Sequence, residues 1–389
     1  MVSFGRAAFV MAALSLASGL SLGSAPAVAA PPAMSLASVP LACQAPSLIP
    51  SASAFRPVAL HMVSRTTGWA YNASNVWWTD DGGRCWSVVT PPSLPHEADL
   101  TVDPVSADTA WVGADGLTAQ TLLVTTTHGA TWHHVSFPRV GYGSFDTMAF
   151  VSADAGWVET DAVGAGPVET AVWERTTDQG RHWHRLGYDG WGTLLRASPR
   201  VAWMGGGTMG SERATLFKTA DGGRTWALVA LPKDRRRTPS EATPLAFFGP
   251  RGVLLVELND QNVPHDERPA LAIYRTKNGG RTWQGGQVMM LSGGGQEAYA
   301  SNGVGFLVSQ RYGPYQVVTH GTLYRTRNWG RTWARTTWQG FAPRHLTALD
   351  LLTPRLGFAE TGAGYHTFWI TRDGGRVWLP LAPPNRAPP

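Results

Sequence analysis

The sequence predicts an all-β fold, a seven-bladed β-propeller of four-stranded antiparallel blades. Three observations predict it. One eight-residue turn recurs seven times, a second apolar signal precedes every copy, and the composition is rich in Trp and Gly but poor in charge. Of 389 residues, 18 are Trp and 44 are Gly, while charged side chains make up only 15%. Such usage suits short, tightly turned strands better than long solvated helices.

Copies of the turn begin at Thr79, Thr125, Thr176, Thr219, Thr276, Thr326 and Thr371 and close on Trp86, Trp132, Trp183, Trp226, Trp283, Trp333 and Trp378. The fifth place is always glycine: Gly83, Gly129, Gly180, Gly223, Gly280, Gly330 and Gly375. The third is Asp81, Asp178, Asp221 or Asp373, or Asn278 or Asn328, and Thr127 in the second copy alone. An Asp or Asn there accepts N–H bonds from its own turn. The glycine allows a positive φ, and the tryptophan buries a large ring at the start of the next strand. Closing tryptophans stand 43 to 57 residues apart, which fits a four-stranded blade and excludes shorter solenoid repeats.

The second signal is a small residue followed by a bulky one: Gly68-Trp69, Ala110-Trp111, Gly156-Trp157, Ala202-Trp203, Gly252-Val253, Gly305-Phe306 and Gly357-Phe358. Another apolar run precedes each pair, as in Val58 to Val63. Each unit therefore reads strand, turn, strand, loop, strand, Asp turn, strand. Seven units fill residues 58 to 383, and stacking in a ring lets each sheet bury its faces.

The ends read differently. Arg6, the apolar run Ala7 to Leu22 and Ala27-Val28-Ala29 have the form of a signal peptide over 1–29, with a retained anchor as the alternative. No later apolar stretch is long enough to span a membrane. Residues 30–54 are an Ala/Pro/Ser-rich linker or arm, 55–383 the propeller and 384–389 a short tail. An exported chain with two cysteines, Cys43 and Cys85, is expected to form one disulfide tying the arm to the first blade. The expected location is secreted or extracytoplasmic, at the cell envelope.

The eight-residue turn resembles the Asp box, or BNR repeat, Ser/Thr-x-Asp-x-Gly-x-Thr-Trp. The resemblance covers about 325 of the 389 residues. Similar repeats occur in sialidases, xyloglucan-degrading glycosidases, sortilin-type receptors and photosystem II assembly propellers. Seven even copies, each with its small-bulky strand, most resemble the last group and its bacterial relatives. That resemblance implies a scaffold or assembly role, although propellers host unrelated activities.

Enzyme signatures are weak. Phe55-Arg56-Pro57 lacks the spacer of the sialidase signature. Asp99, Asp103, Asp146, Asp161 and Glu257 are candidate carboxylates with nothing in the sequence to pair them. Gly205-Gly206-Gly207-Thr208-Met209-Gly210 matches G-x-G-x-x-G, but no helix follows to hold a phosphate. His182 and His184 share a strand face without an evident third metal ligand. No catalytic residue, cofactor or metal is assigned.

Recognition is expected instead on the face opposite the Asp turns, where loops are long and uneven. They include 115–120, 160–169, 205–213, 257–269 and 309–321. The candidate partner-binding residues there are Arg235, Arg236 and Arg237 in a basic loop, which suits a carboxylate or acidic peptide. Tyr188, Trp191, Tyr312 and Tyr315 are candidate aromatic contacts. Arginine at the sixth turn place of six copies makes a ring of positive charge. It reads most simply as solvated turn residues, with an anionic docking surface as the alternative. The net charge of +5 is too small to indicate nucleic acid. The expectation is thus a monomeric, non-catalytic propeller that binds a protein or peptide. A sialidase- or glycosidase-type carbohydrate-active enzyme is the alternative.

Overall fold

The seven turns share one geometry. The leading threonine hydroxyl donates to the third-place carboxylate or amide, for example Thr79 Oγ1 to Asp81 Oδ1 at 2.9 Å. The same hydroxyl accepts the N–H of the fifth-place glycine, as in Gly223 to Thr219 at 2.7 Å. The third-place oxygen then accepts N–H groups further on, Arg84 and Cys85 at 2.8 and 2.9 Å in the first copy. In the second copy the Thr127 hydroxyl replaces the carboxylate and accepts Thr131 N–H at 2.9 Å. The fifth-place glycines have φ between 74° and 85°, a region closed to most side chains.

The computed structural model describes residues 57–381, apart from 96–97, 117–119, 139–144, 163–169, 187–191, 199, 208–212, 233–236, 261–269, 290–294, 300–301, 313–317 and 363–366. Blade 1 comprises β1 (Ala59–Met62), β2 (Gly68–Tyr71), β3 (Val76–Thr79) and β4 (Ser87–Val88). Blade 2 comprises β5 (Asp99–Pro104), β6 (Ala110–Asp115), β7 (Gln120–Thr125) and β8 (His133–Val135). Blade 3 comprises β9 (Phe145–Phe150), β10 (Gly156–Ala162), β11 (Thr170–Thr176) and β12 (His184–Arg185). Blade 4 comprises β13 (Gly192–Arg196), β14 (Ala202–Gly207), β15 (Ala214–Thr219) and β16 (Ala227–Leu228). Blade 5 comprises β17 (Arg237–Phe248), β18 (Arg251–Asp260), β19 (Ala270–Thr276) and β20 (Gln284–Met289). Blade 6 comprises β21 (Gly295–Tyr299), β22 (Gly305–Tyr312), β23 (Val318–Thr326) and β24 (Ala334–Thr336). Blade 7 comprises β25 (Leu346–Leu351), β26 (Gly357–Thr361), β27 (Thr367–Thr371) and β28 (Leu379–Pro380).

Every sheet is ordered as the chain runs, with antiparallel neighbours. Successive first strands approach one another around the ring, as β5 does β9 and β21 does β25. They therefore line the central channel, and the exposed fourth strands form the rim. The first hairpin of each blade and its eight-residue turn lie on one face, here the turn face. The remaining connections make the loop face. Among the described residues the only helical segment is a 3-10 turn, Pro343–His345.

The core is divided among the seven blade interfaces, one apolar cluster at each. The bulky residue of each second strand anchors it. Trp69, Trp111, Trp157, Trp203, Val253, Phe306 and Phe358 are all buried. Trp111 stacks on Phe150 of the next blade at 3.8 Å between ring centroids, and Trp203 on Phe247 at 3.9 Å. Burying one such ring is worth about 2–3 kcal/mol. Blade 1 meets blade 7 through Met62, Ala70 and Trp77 against Leu356, Phe358 and Ile370. The ring thus closes on side chains, since each described blade is one continuous stretch of chain.

The closing tryptophans divide into two kinds. Trp86 and Trp378 are fully buried, whereas the other five are half-buried. The indole N–H groups of Trp132, Trp183 and Trp283 reach back to the preceding blade, donating to the carbonyls of Val89, Ser136 and Ala230 at 2.8, 2.8 and 3.1 Å. Those of Trp226, Trp333 and Trp378 make no hydrogen bond among the described residues.

The turn glycine has a second duty besides its φ. A Cβ on Gly223 would lie 2.5 Å from Trp157 Nε1 and 2.9 Å from Arg175 Cδ of the preceding blade. Gly249, at φ 60°, has nothing within 4 Å. Gly249→Ala should therefore cost only the backbone strain, about 1–2 kcal/mol. Gly223→Ala should cost about 3 kcal/mol or more, since strain and overpacking add. Urea unfolding of the two variants measures the difference; equal losses would mean that the blade contact contributes nothing.

Candidate functional site

On the turn face the third-place carboxylates are occupied by their own turns. Asp178 accepts His182 N–H at 3.0 Å, and its second oxygen lies 2.6 Å from His182 Nδ1. These bonds, the backbone one foremost, pull its pKa down to about 2. Asp221 is likewise lowered, first by the Thr225 hydroxyl and then by the Thr225 N–H. Both are fixed anionic acceptors, unsuited to proton transfer near neutrality. His182 is thus engaged with Asp178, and His184 is exposed on β12. Among the described residues no three His, Cys, Asp or Glu side chains come together as metal ligands do.

The channel holds a different arrangement. Arg196, ending β13, grips Asp103 of β5 with two bonds of 2.9 Å. The N–H of Phe150 also donates to Asp103, so one carboxylate ties blades 2, 3 and 4. Burial pushes the Asp103 carboxyl up, against the opposing pull of Arg196 and the Phe150 N–H. His61 of β1 is exposed to the channel but enclosed by the surrounding blades, and it stacks on Tyr71 at 6.4 Å between centroids. Burial, then the charge of Arg196, hold the His61 imidazole down to about 4. Burial and the charges of Glu360 and Asp103 push Tyr71 up to about 12. At neutral pH this is a clasp with a neutral imidazole and a neutral phenol beside it.

At the loop-face end of blade 2, Asp99 and Asp115 are directly opposite each other across β5 and β6. Asp115 accepts Phe145 N–H at 2.7 Å and the Gln120 amide at 3.0 Å. Burial first, with Asp99 adding its charge, pushes it up to about 6. In blade 3, Asp146 occupies the bulge between Phe145 and Thr147, and Asp161 lies opposite Ala171 at the same end. Glu257 on β18 is raised by burial, with the Ser240 hydroxyl opposing.

Several sequence expectations need correction here. Tyr312 is not in a loop: it ends β22 opposite Val318. Arg237 opens β17 opposite Asp260 and is half-buried and engaged, so it is no free loop cation. The strands of blades 3 to 6 run further toward the loop face than expected because their antiparallel ladders continue to Ala162, Gly207, Asp260 and Tyr312. Arg235, Arg236, Tyr188, Trp191, Tyr315 and Cys43 lie outside the described residues. Cys85 is disulfide-bonded.

One repeated element escaped the sequence reading. Four residues before the small residue of the pair in blades 1, 2, 3, 4 and 7, Ser64, Ser106, Ser152, Ser198 and Thr353 use their hydroxyls to accept the N–H three residues on, at 2.9 to 3.1 Å. These capped hairpins then receive the turns. The fourth-place N–H of all seven turns donates to a hairpin carbonyl of its own blade, at 2.7 to 3.0 Å. The recurring hydroxyl was the available signal.

No family model matches the chain, and no curated protein matches it. Solved structures do. YCF48 bound to D1 peptide superposes with a TM-score of 0.52 at 16% identity, covering 82% of this chain and 91% of that one. The GH74 enzyme of Niastella koreensis gives 0.51 at 15%, covering 83% and 53%. An ancestral GH74 enzyme gives 0.50 at 14%, covering 83% and 46%. This chain spans about half the length of those two enzymes. At such identities the likeness establishes the propeller fold alone.

Two predictions follow from the clasp and the acidic pair. Arg196→Met leaves Asp103 unpaired and should cost about 3–5 kcal/mol, with Asp103→Asn in the same chain restoring much of the loss. A double-mutant cycle by urea unfolding reads the coupling, and additive losses would dismiss the clasp. Asp115 has a raised folded pKa, so the stability of its protonated form is full near pH 4 and lost as pH rises through about 6. Asp115→Asn should therefore stabilise by about 1 kcal/mol at pH 8, after discounting for solvent screening, and by little at pH 4. Unfolding at both values tests the sign; an equal gain would remove charge as the cause.

Proposed function

We propose that this chain is a non-catalytic, extracytoplasmic propeller that captures a protein or peptide on its loop face, in the manner of a scaffold or assembly factor. The observation that carries this reading is the engagement of its acidic groups. The turn carboxylates bind their own backbone, and Asp103 is held by Arg196. The longest connections instead gather on one face of a rigid ring, the usual setting for recognition. The likeness to YCF48, solved bound to D1 peptide and matched over 91% of its length, supports the same reading. The disulfide at Cys85 and the signal-like N-terminus support an oxidising, exported setting.

A second reading is kept by the Asp99–Asp115 pair. A carboxyl raised to about 6 beside an exposed carboxylate is a combination that glycosidases use. Assays on sialyl and β-glucan substrates decide between the two. The binding reading expects no turnover, and it expects Arg235→Ala, Arg236→Ala and Arg237→Ala together to weaken capture of an acidic peptide about tenfold. Turnover abolished by Asp115→Asn would replace it with the enzyme reading.

A further inference from the structure

The turn face is electrically lopsided, a property independent of the loop-face reading. Each of blades 4 to 7 presents an exposed arginine at the sixth turn place: Arg224, Arg281, Arg331 and Arg376. Blades 5 to 7 are basic at the second place too, with exposed Lys277, Arg327 and Arg372. The first hairpins of blades 4, 5 and 7 add exposed Arg200, Arg251 and Arg355. Against them, among the described residues of these turns and hairpins, stand only Asp221 and Asp373. Both are spent on their own turns.

Blades 1 to 3 are the reverse. There Arg65, Arg84 and Arg181 are matched in number by Asp80, Asp108 and Asp154, besides the turn acceptors Asp81 and Asp178. The positive charge therefore forms an arc over four adjacent blades, where fields from neighbouring tips add.

Apolar groups stand within that arc. Phe248, 39% exposed at the end of β17, packs against Trp329 of the blade 6 turn at 5.8 Å between centroids. Val377 in the blade 7 turn is 37% exposed. The cationic tips are held by backbone bonds, so they form a rigid row on separate hairpins. Among the described residues, a 280 Å³ cavity is lined by β23, β24 and the following connection and by none of these arginines. An extended peptide would need a groove. A broad anionic surface meets many tips at once and also receives apolar groups at its interface.

We propose that the turn-face arc of blades 4 to 7 docks the protein on an anionic phospholipid membrane, with Phe248, Trp329 and Val377 entering the headgroup region. The test is co-sedimentation of the purified protein with vesicles of phosphatidylcholine, with and without about 30% phosphatidylglycerol. Binding is expected only with the anionic lipid and should fall about tenfold or more between low salt and roughly 0.5 M. Arg281→Gln, Arg331→Gln and Arg376→Gln together should lower partition about tenfold or more, while Arg65→Gln, Arg84→Gln and Arg181→Gln together change it less than about twofold. Melting curves check that both triple variants fold. Should one not fold, Phe248→Ser provides a separate reading, an expected loss of binding that persists at high salt.

Three outcomes would overturn the proposal. These are equal binding to both vesicles, equal loss in the two triple variants, or binding of poly-glutamate through the arc with none to vesicles. The last would make the partner an acidic polypeptide. None of these outcomes bears on loop-face capture, which is read with the acidic peptide and the Arg235–Arg237 variants.

Discussion

The wheel depends on the contact between each turn glycine and the blade before it. Gly83 lies against Leu381, Gly129 against Val89, Gly180 against Val135, Gly223 against Trp157, Gly280 against Trp203, Gly330 against Ile273 and Gly375 against Phe306. A positive φ alone does not demand glycine there. His128, Gln179 and Trp329 hold positive φ at the preceding place. What separates the two positions is room, since three copies carry a side chain at the fourth place while a Cβ at the fifth would press on the neighbouring blade in every copy. Conformation and packing therefore select the same residue, seven times.

Much of this was legible in the sequence because the repeat is dictated locally. A threonine hydroxyl, an acceptor two residues on and a glycine two beyond that specify a turn without distant help. The small-bulky pair specified where each sheet packs, and the bulky member is buried in every blade. Cross-blade chemistry was not legible. Arg196 and Asp103 lie 93 residues apart and meet only because the ring brings β13 toward β5. The opposition of Asp99 and Asp115 required the register of one hairpin. Strand ends near the loop face were misjudged because polar residues such as Glu257, Gln310 and Tyr312 look like loop yet continue the ladder. Likewise the serine-capped hairpins were overlooked because a lone serine carries little signal until its spacing to the next glycine or alanine is compared across blades.

The two faces divide the labour. On the turn face, backbone bonds consume the third-place acceptor of each turn, so side chains pointing outward from the other places are free to vary without loss of the fold. Arginine at the sixth place is such a side chain, and its uneven company of acids creates a directional field. On the loop face, the ladders end in residues that still carry charge, including Asp99, Asp115 and Arg237. Between them the channel is held by an ion pair whose carboxylate is buried and whose worth lies more in fixing three blades together than in net stabilisation.

Because each blade is a single run of chain and, among the described residues, the last meets the first through side chains, no described strand crosses the seam. The molecule can therefore be cut at one connection and rejoined at another without unpicking any sheet. Permuted chains starting at any blade should reach the same wheel. The same independence makes a blade a unit that duplication can add or deletion remove, provided that the newcomer offers a bare glycine to the blade before it.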